Sequence, residues 1–138
     1  MKSCKIALAQ INPILGNLSY NKNKILKVLN KLSGKADLVV FPELSLIGYP
    51  PEDLILREKI HLETAKYLKI IKRFAKDKGI AVILGAPQAI GKEIGNAAIF
   101  FNGSKTITIF KNNLPNYGVF DEKRIFKEGP PYDYIKYK

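Results

Sequence analysis

Ala36-Asp37-Leu38-Val39-Val40-Phe41-Pro42-Glu43-Leu44-Ser45-Leu46-Ile47-Gly48-Tyr49-Pro50-Pro51-Glu52-Asp53-Leu54 is the stretch that decides how the chain folds. Ala36 to Phe41 is a short apolar run closed by a proline, which reads as a buried strand. Pro50-Pro51-Glu52-Asp53 reads as a helix start, with proline in the first turn and acids at the positive end of the helix dipole. Between them Glu43 stands alone among hydrophobic neighbours. A carboxylate in such company must be paired, protonated or used. Glu43 sits just past the C-terminal end of the strand, where functional groups gather in sheets flanked by helices. Taken alone, its simpler role is to cap the helix that follows.

Outward from this stretch the same alternation continues. On the N-terminal side, Lys5 to Gln10 is short, apolar and closed by Asn12-Pro13, as a buried strand should be. Turn residues 16–21 follow, with Ser19 or Asn21 as the expected helix cap. Ile25, Leu26, Val28, Leu29 and Leu32 then recur at helical spacing until Ser33-Gly34 stops them. On the C-terminal side, helical periodicity runs through Leu62, Ala65, Leu68, Ile71 and Phe74, with a break expected near Arg57. Ile80 to Gly85 is a third strand, expected to end at Gly85 and Pro87, with residues 91–95 as a loop. Two β-rich runs flank Asn102-Gly103, a strong hairpin signal. Lys111 then opens an irregular Pro/Gly loop, and residues 132–138 are a candidate further strand. Strand–helix–strand–helix–strand followed by a hairpin makes an α/β chain of one domain or part of one.

Composition narrows the chemistry. With 46% hydrophobic and 25% charged residues in 138, the chain has the make-up of a globular domain. No apolar run approaches the roughly 18–20 residues that span a bilayer. The N-terminus is too short and polar for a secretory signal, so a cytoplasmic location is expected and no membrane partner. Cys4 is the single cysteine and His61 the single histidine, which excludes an internal disulfide, a multi-histidine or cysteine metal site, and any serine–histidine triad that does not use His61. The net charge of +11 is built largely of scattered lysines, with Arg57, Arg73 and Arg124 as the only arginines, so nucleic acid is not the expected partner. No Gly-rich phosphate cradle is present, and no cofactor is expected.

Two long motifs carry a resemblance. FPELSLIGYPPEDL, residues 41–54, resembles the catalytic-glutamate segment of the nitrilase (carbon–nitrogen hydrolase) superfamily, and within it the N-terminal glutaminase domain of glutamine-dependent NAD synthetase. FKNNLPNYGVFDEKRIF, residues 110–126, is similar to the catalytic-lysine segment of the same family. KIALAQINPILGNL, the Ile83-Leu84-Gly85-Ala86-Pro87 strand end and Asn96-Ala97-Ala98 match in the same order, so the resemblance covers essentially all 138 residues.

That resemblance implies the N-terminal portion of a nitrilase-like four-layer αββα sandwich working with a Glu–Lys–Cys triad. It implies Glu43 as general base, Lys111 as oxyanion stabiliser, glutamine as substrate, and Tyr49, Tyr117 and Phe120 around the glutamine pocket. Glu122 either supports the site by bonding to Lys111 or belongs to a charged surface turn, residues 121–124. The family's nucleophilic cysteine lies beyond the lysine motif, and Cys4, ahead of the first strand, does not match it. Residues 1–138 are therefore expected to be a partial glutaminase domain without the synthetase domain, and inactive alone. The alternatives are half of a split amidohydrolase completed by a second chain or an oligomer, and a non-catalytic basic binding module.

Overall fold

A computed structural model describes residues 3–131. Five strands form one mixed sheet in the order β1-β2-β3-β4-β5: Ile6–Leu8, Leu38–Val40, Ala81–Ile90, Glu93–Asn102 and Lys105–Phe110. The first three strands are parallel and the last two antiparallel. Each parallel step needs a helical crossover, and the chain supplies α1 (Leu18–Leu32) and α2 (Glu58–Asp77).

Both helices cover the same face. Ile25 and Leu29 of α1 and Leu68, Ile71 and Ala75 of α2 pack with Val39, Val82, Leu84, Ile99 and Phe101 in one core. Period-two alternation sends the intervening residues to the opposite face, where Leu38, Ala81 and Phe100 form a smaller cluster. Ile6 and Leu8 of β1 share that second face through their pairing with Leu38 and Val40. The strand expected to be buried is open there: β1 lies at the sheet edge, with Ile6 58% and Leu8 80% exposed.

Several expectations shift in detail. The cap of α1 is Asn17, whose side chain accepts from the Tyr20 amide at 3.1 Å. Asn21, one of the expected caps, is instead buried inside the helix, where it bonds Ile14 N, Ile14 O and Leu46 O. The break near Arg57 is real: a 3₁₀ helix, Glu52–Leu56, ends there and α2 begins at Glu58. His61 donates to Ile55 O at 2.6 Å and so ties α2 to that 3₁₀ turn.

The third strand does not stop at Gly85 and Pro87 but runs on to Ile90, and residues 93–95, expected in a loop, belong to β4. The reason lies in the pairing. Beyond Ile83, β3 is registered only with β4, so a proline that cannot donate breaks no ladder on the β2 side. The hairpin turn is Gly103-Ser104, one residue later than Asn102-Gly103, with Gly103 at φ 59°. The candidate strand at 132–138 lies outside the described residues.

Candidate active site

Glu43 and Lys111 are 68 residues apart in sequence and in contact in the fold. Parallel β2 and β3, with β5 running in the same sense, bring the ends of β2 and β5 to one end of the sheet. The segment after β2 crosses over the middle of β3, and Gly85 makes this possible. A Cβ there would lie 2.2 Å from Leu44 N and 2.8 Å from Glu43 Cα. Only a glycine lets the two backbones approach so closely. Leu46 N and Ser45 Oγ then donate to Gly85 O at 3.3 and 3.4 Å. Leu44, a non-glycine residue, takes φ 48°, a left-handed conformation that the surrounding packing must hold in place.

The antiparallel register completes the row. Pro87 pairs with Asn96, Phe110 pairs with Ala97, and Lys111 N donates to Asn96 O at 2.7 Å. Glu43, Asn96 and Lys111 therefore lie side by side on the face of the sheet away from the helices.

Lys111 Nζ lies 2.8 Å from Glu43 Oε1 and donates to it. On its other side Nζ lies 3.0 Å from both carboxylate oxygens of Glu122, donating to Oε1. Glu43 Oε1 also accepts from Asn96 Nδ2 at 2.6 Å. Burial works against the charge on Lys111, but the hydrogen bonds to Glu43 and then Glu122 outweigh it and hold its pKa above the ordinary lysine value.

Glu122 opens the short helix α3 (Glu122–Ile125), and its side chain is only 4% exposed. Its buried charge is met by Lys111 and by Tyr49 Oη, which donates to Oε1 at 2.8 Å. Partial burial, followed by that hydrogen bond and the nearby negative charges, raises the Tyr49 pKa well above that of a free phenol. Of the two readings of Glu122, the structure selects the bond to Lys111 over a surface turn. Arg124, two residues on, bonds to Asp53 and Asp121 and so clamps α3 to the 3₁₀ turn after Tyr49.

The expectation of a carboxylate enclosed by apolar neighbours is corrected here. Leu44, Leu46 and Ile47 are buried, but the Glu43 side chain is 46% exposed and faces a groove of about 240 Å³. Its apolar neighbours point into the core beneath the turn while the carboxylate points out along the sheet.

Among the aromatics, Tyr49 and Phe120 line a second groove of about 180 Å³ that also contains Glu122. Tyr117 packs edge-on against Phe120 with ring centres 5.4 Å apart, but it is 71% exposed and lines neither groove. Cys4 is exposed and precedes β1, beside the Lys5–Asp37 contact that marks the start of the parallel strands. It lies at the opposite end of β1 and β2 from Glu43. Asn96 was not singled out as a site residue by sequence reasoning. The available signal was a polar residue in the otherwise apolar run from Ile94 to Phe101.

Residues 5–136 match the carbon-nitrogen hydrolase family. The chain belongs to that family. It is 41% identical over 130 residues to glutamine-dependent NAD(+) synthetase of Thermotoga maritima, covering 94% of this chain and 23% of that protein. With the Acinetobacter baylyi synthetase it shares 39% over 140 residues, 99% of this chain and 25% of that protein. The structure of the Acinetobacter baumannii glutamine-dependent NAD+ synthetase superimposes with a TM-score of 0.85 at 36% identity, over 99% of this chain and 26% of that one. An amidase from Nesterenkonia sp. shares the fold, with a TM-score of 0.80 at 24% identity over 93% of this chain and 49% of the amidase.

The chain therefore spans about a quarter of the length of the synthetases it matches. Its five-stranded sheet and two helices are the N-terminal portion of the nitrilase-like fold. Among the described residues no helix is long and apolar enough to cross a membrane.

Proposed function

We propose that the Glu43–Lys111–Glu122 cluster is the acid–base and oxyanion part of a glutamine amide-hydrolysing site, whose nucleophilic thiol comes from outside residues 1–138. The observation that carries this reading is one ammonium held between two carboxylates, Glu43 at 2.8 Å and Glu122 at 3.0 Å, at a strand-end groove. The chain's relatedness to glutamine-dependent NAD(+) synthetases supports glutamine as the substrate.

The chemistry follows from the placement. Glu43, with a carboxylate oxygen open to the groove, takes the proton of an incoming thiol. The thiolate adds to the side-chain amide carbon, and Lys111 stabilises the negative oxygen that forms. Collapse of the tetrahedral intermediate breaks the C–N bond. Glu43 returns its proton to the departing nitrogen, which leaves as ammonia and leaves a thioester. Glu43 then takes a proton from water, whose oxygen adds to the thioester carbon. The thiolate departs, glutamate is released, and the proton passes back to sulfur. Glu122 keeps Lys111 charged throughout, and Tyr49, Tyr117 and Phe120 border the substrate.

Cys4 does not fit the nucleophile's role, because it lies at the far end of the parallel strands. The thiol-bearing segment would instead approach the second face of the sheet, where Ile6 and Leu8 offer exposed apolar surface. That segment belongs to a continuation of this chain or to a second polypeptide, and the same face serves either.

The test is ammonia release from glutamine. Residues 1–138 alone are expected to release none. A hybrid joining them to the remaining glutaminase segment of the Thermotoga maritima synthetase is expected to release it. Glu43→Gln should lower that rate by at least about 10²-fold, the scale of general-base catalysis. Ammonia release by residues 1–138 alone, abolished by Cys4→Ser, would overturn the reading.

A further inference from the structure

We propose that Asn96 is a positioning residue that holds Glu43 by Oε1 and leaves Oε2 as the oxygen that carries the proton. This rests on the reading of Glu43 as the proton carrier.

Asn96 is 3% exposed, on a strand whose neighbours Ala97 and Ile99 are core residues. A buried amide must find partners, and this one donates from Nδ2 to Glu43 Oε1 at 2.6 Å. The orientation follows from chemistry. A carboxylate oxygen only accepts, so the NH₂ end of the amide must face it and the carbonyl end must face away.

Lys111 Nζ reaches the same oxygen at 2.8 Å. Both donors thus converge on Oε1, and among the described residues no hydrogen bond reaches Oε2. The two donors differ in kind. Lysine is a point charge on a flexible stem, able to follow either carboxylate oxygen as the glutamate turns. Asn96 is planar, buried and fixed by the ladder between β3 and β4, so it can satisfy Glu43 in one orientation only.

Its main chain does related work. Asn96 O accepts from Lys111 N at 2.7 Å, so one residue sets both the direction of the glutamate and the start of the lysine loop. Asn96 is also neutral. The charged and titratable groups near Glu43 are Lys111, with Glu122 behind it, and Tyr49. An amide adds a donor to this set without adding a second cation to compete with Lys111 for the carboxylate.

The experiment compares the wild-type chain with Asn96→Leu, which keeps the volume and loses the donor, and Asn96→Asp, which replaces the donor by a carboxylate. Side-chain scalar couplings and ¹³C relaxation of Glu43 in residues 1–138 read its rotamer populations, with circular dichroism checking that each variant is folded. One dominant rotamer is expected in the wild type, at least two comparably populated in Asn96→Leu, and a glutamate turned away from the strand in Asn96→Asp. In the hybrid enzyme, kcat should fall about 10- to 100-fold in Asn96→Leu, with KM for glutamine changed less than about threefold.

A single unchanged Glu43 rotamer in both folded variants would overturn the proposal whatever the ammonia assay gives. Redistributed rotamers with an unchanged kcat would overturn it too, by showing that the orientation of Glu43 does not matter to the reaction. A wild-type hybrid that releases no ammonia, while both variants still free the Glu43 side chain, would strike the glutaminase reading and leave the positioning role standing.

Discussion

The two loops that meet at the site are built in opposite ways. The turn after β2 is anchored: Leu44, Ser45, Leu46 and Ile47 are fully buried, Gly16 N bonds to Ile47 O at 2.8 Å, and the Asn21 amide reaches Leu46 O. Only the tip of Glu43 and the ring of Tyr49 emerge from it. The loop after β5 is mostly surface, with Asn112, Asn113 and Asn116 exposed and Val119 93% exposed. It is held at a few points: Leu114 in a small apolar cluster, Glu122 against Lys111 and Tyr49, and Gly129 N on Lys111 O. The base of the site is thus preformed by the core, while the wall that carries Tyr117 and Phe120 depends on one apolar anchor and a few polar contacts. Packing fixes a position without regard to charge. The second loop adds to its one apolar anchor, Leu114 clustered with Leu44 and Ile47, the ionised groups Lys111 and Glu122, and so answers in part to pH.

The sharpest way to break this contrast is to remove the same kind of apolar group from each loop. Ile47→Ala, at a fully buried position, should cost about 3 kcal/mol in urea unfolding, the range for an aliphatic side chain cut from a packed core. A cost below about 1 kcal/mol would show that the first loop is not anchored as described.

Smaller in effect is the alkaline response of the second loop. Lys111 has its folded pKa raised, so the stability it lends is complete below the unfolded lysine value of about 10.4 and is lost as pH rises through the folded value. Tyr49, also raised, acts in the same sense above the free phenol value of about 10. Stability should therefore fall on the alkaline side. In a spectrophotometric titration, one of the seven tyrosines should ionise late, a step missing in Tyr49→Phe and moved to lower pH in Glu122→Gln. A Glu122→Gln titration that matches the wild type would remove Glu122 as the group that holds this loop.

Smallest of all is Val119→Ala. At a side chain so exposed, the change should stay within about 0.5 kcal/mol in the same urea experiment. A larger loss would mean that the second loop is packed after all.

Much of this was legible in the chain. The apolar runs and their breakers place all five strands and both long helices, because short buried strands and amphipathic helices differ in period and in the residues that end them. Glu43 and Lys111 were legible because each stands in a long, unusual motif. The errors fall where a residue's own preference lost to its neighbours. Gly85 and Pro87 signal a strand end, yet β3 continues through both, since one side is free of a ladder partner and the glycine is needed under Glu43. Asn21 signals a cap, yet it is spent inside the core on the loop ahead of its helix and on the turn after β2.

The sequence by itself determined the order of elements and the face that α1 buries, and it singled out Glu43 and Lys111. These follow from local periodicity and from motifs read within a few tens of residues. On α2 the expected stripe is buried at Leu68 and Ile71, while Leu62 is 66% exposed and Ile60, Thr64 and Ala75 are buried in its place. Only the tertiary structure decided that Glu122 is a buried partner and not a surface charge, that Glu43 is half open to solvent, and that Asn96 shares its oxygen with Lys111. The physical reason is register. A hydrogen bond between Asn96 and Glu43, 53 residues apart, exists only because β4 is aligned on β3 so that Asn96 faces Pro87, just past the glycine under Glu43. A slip of one residue would turn Asn96 to the helix-covered face and leave Glu43 with Lys111 alone.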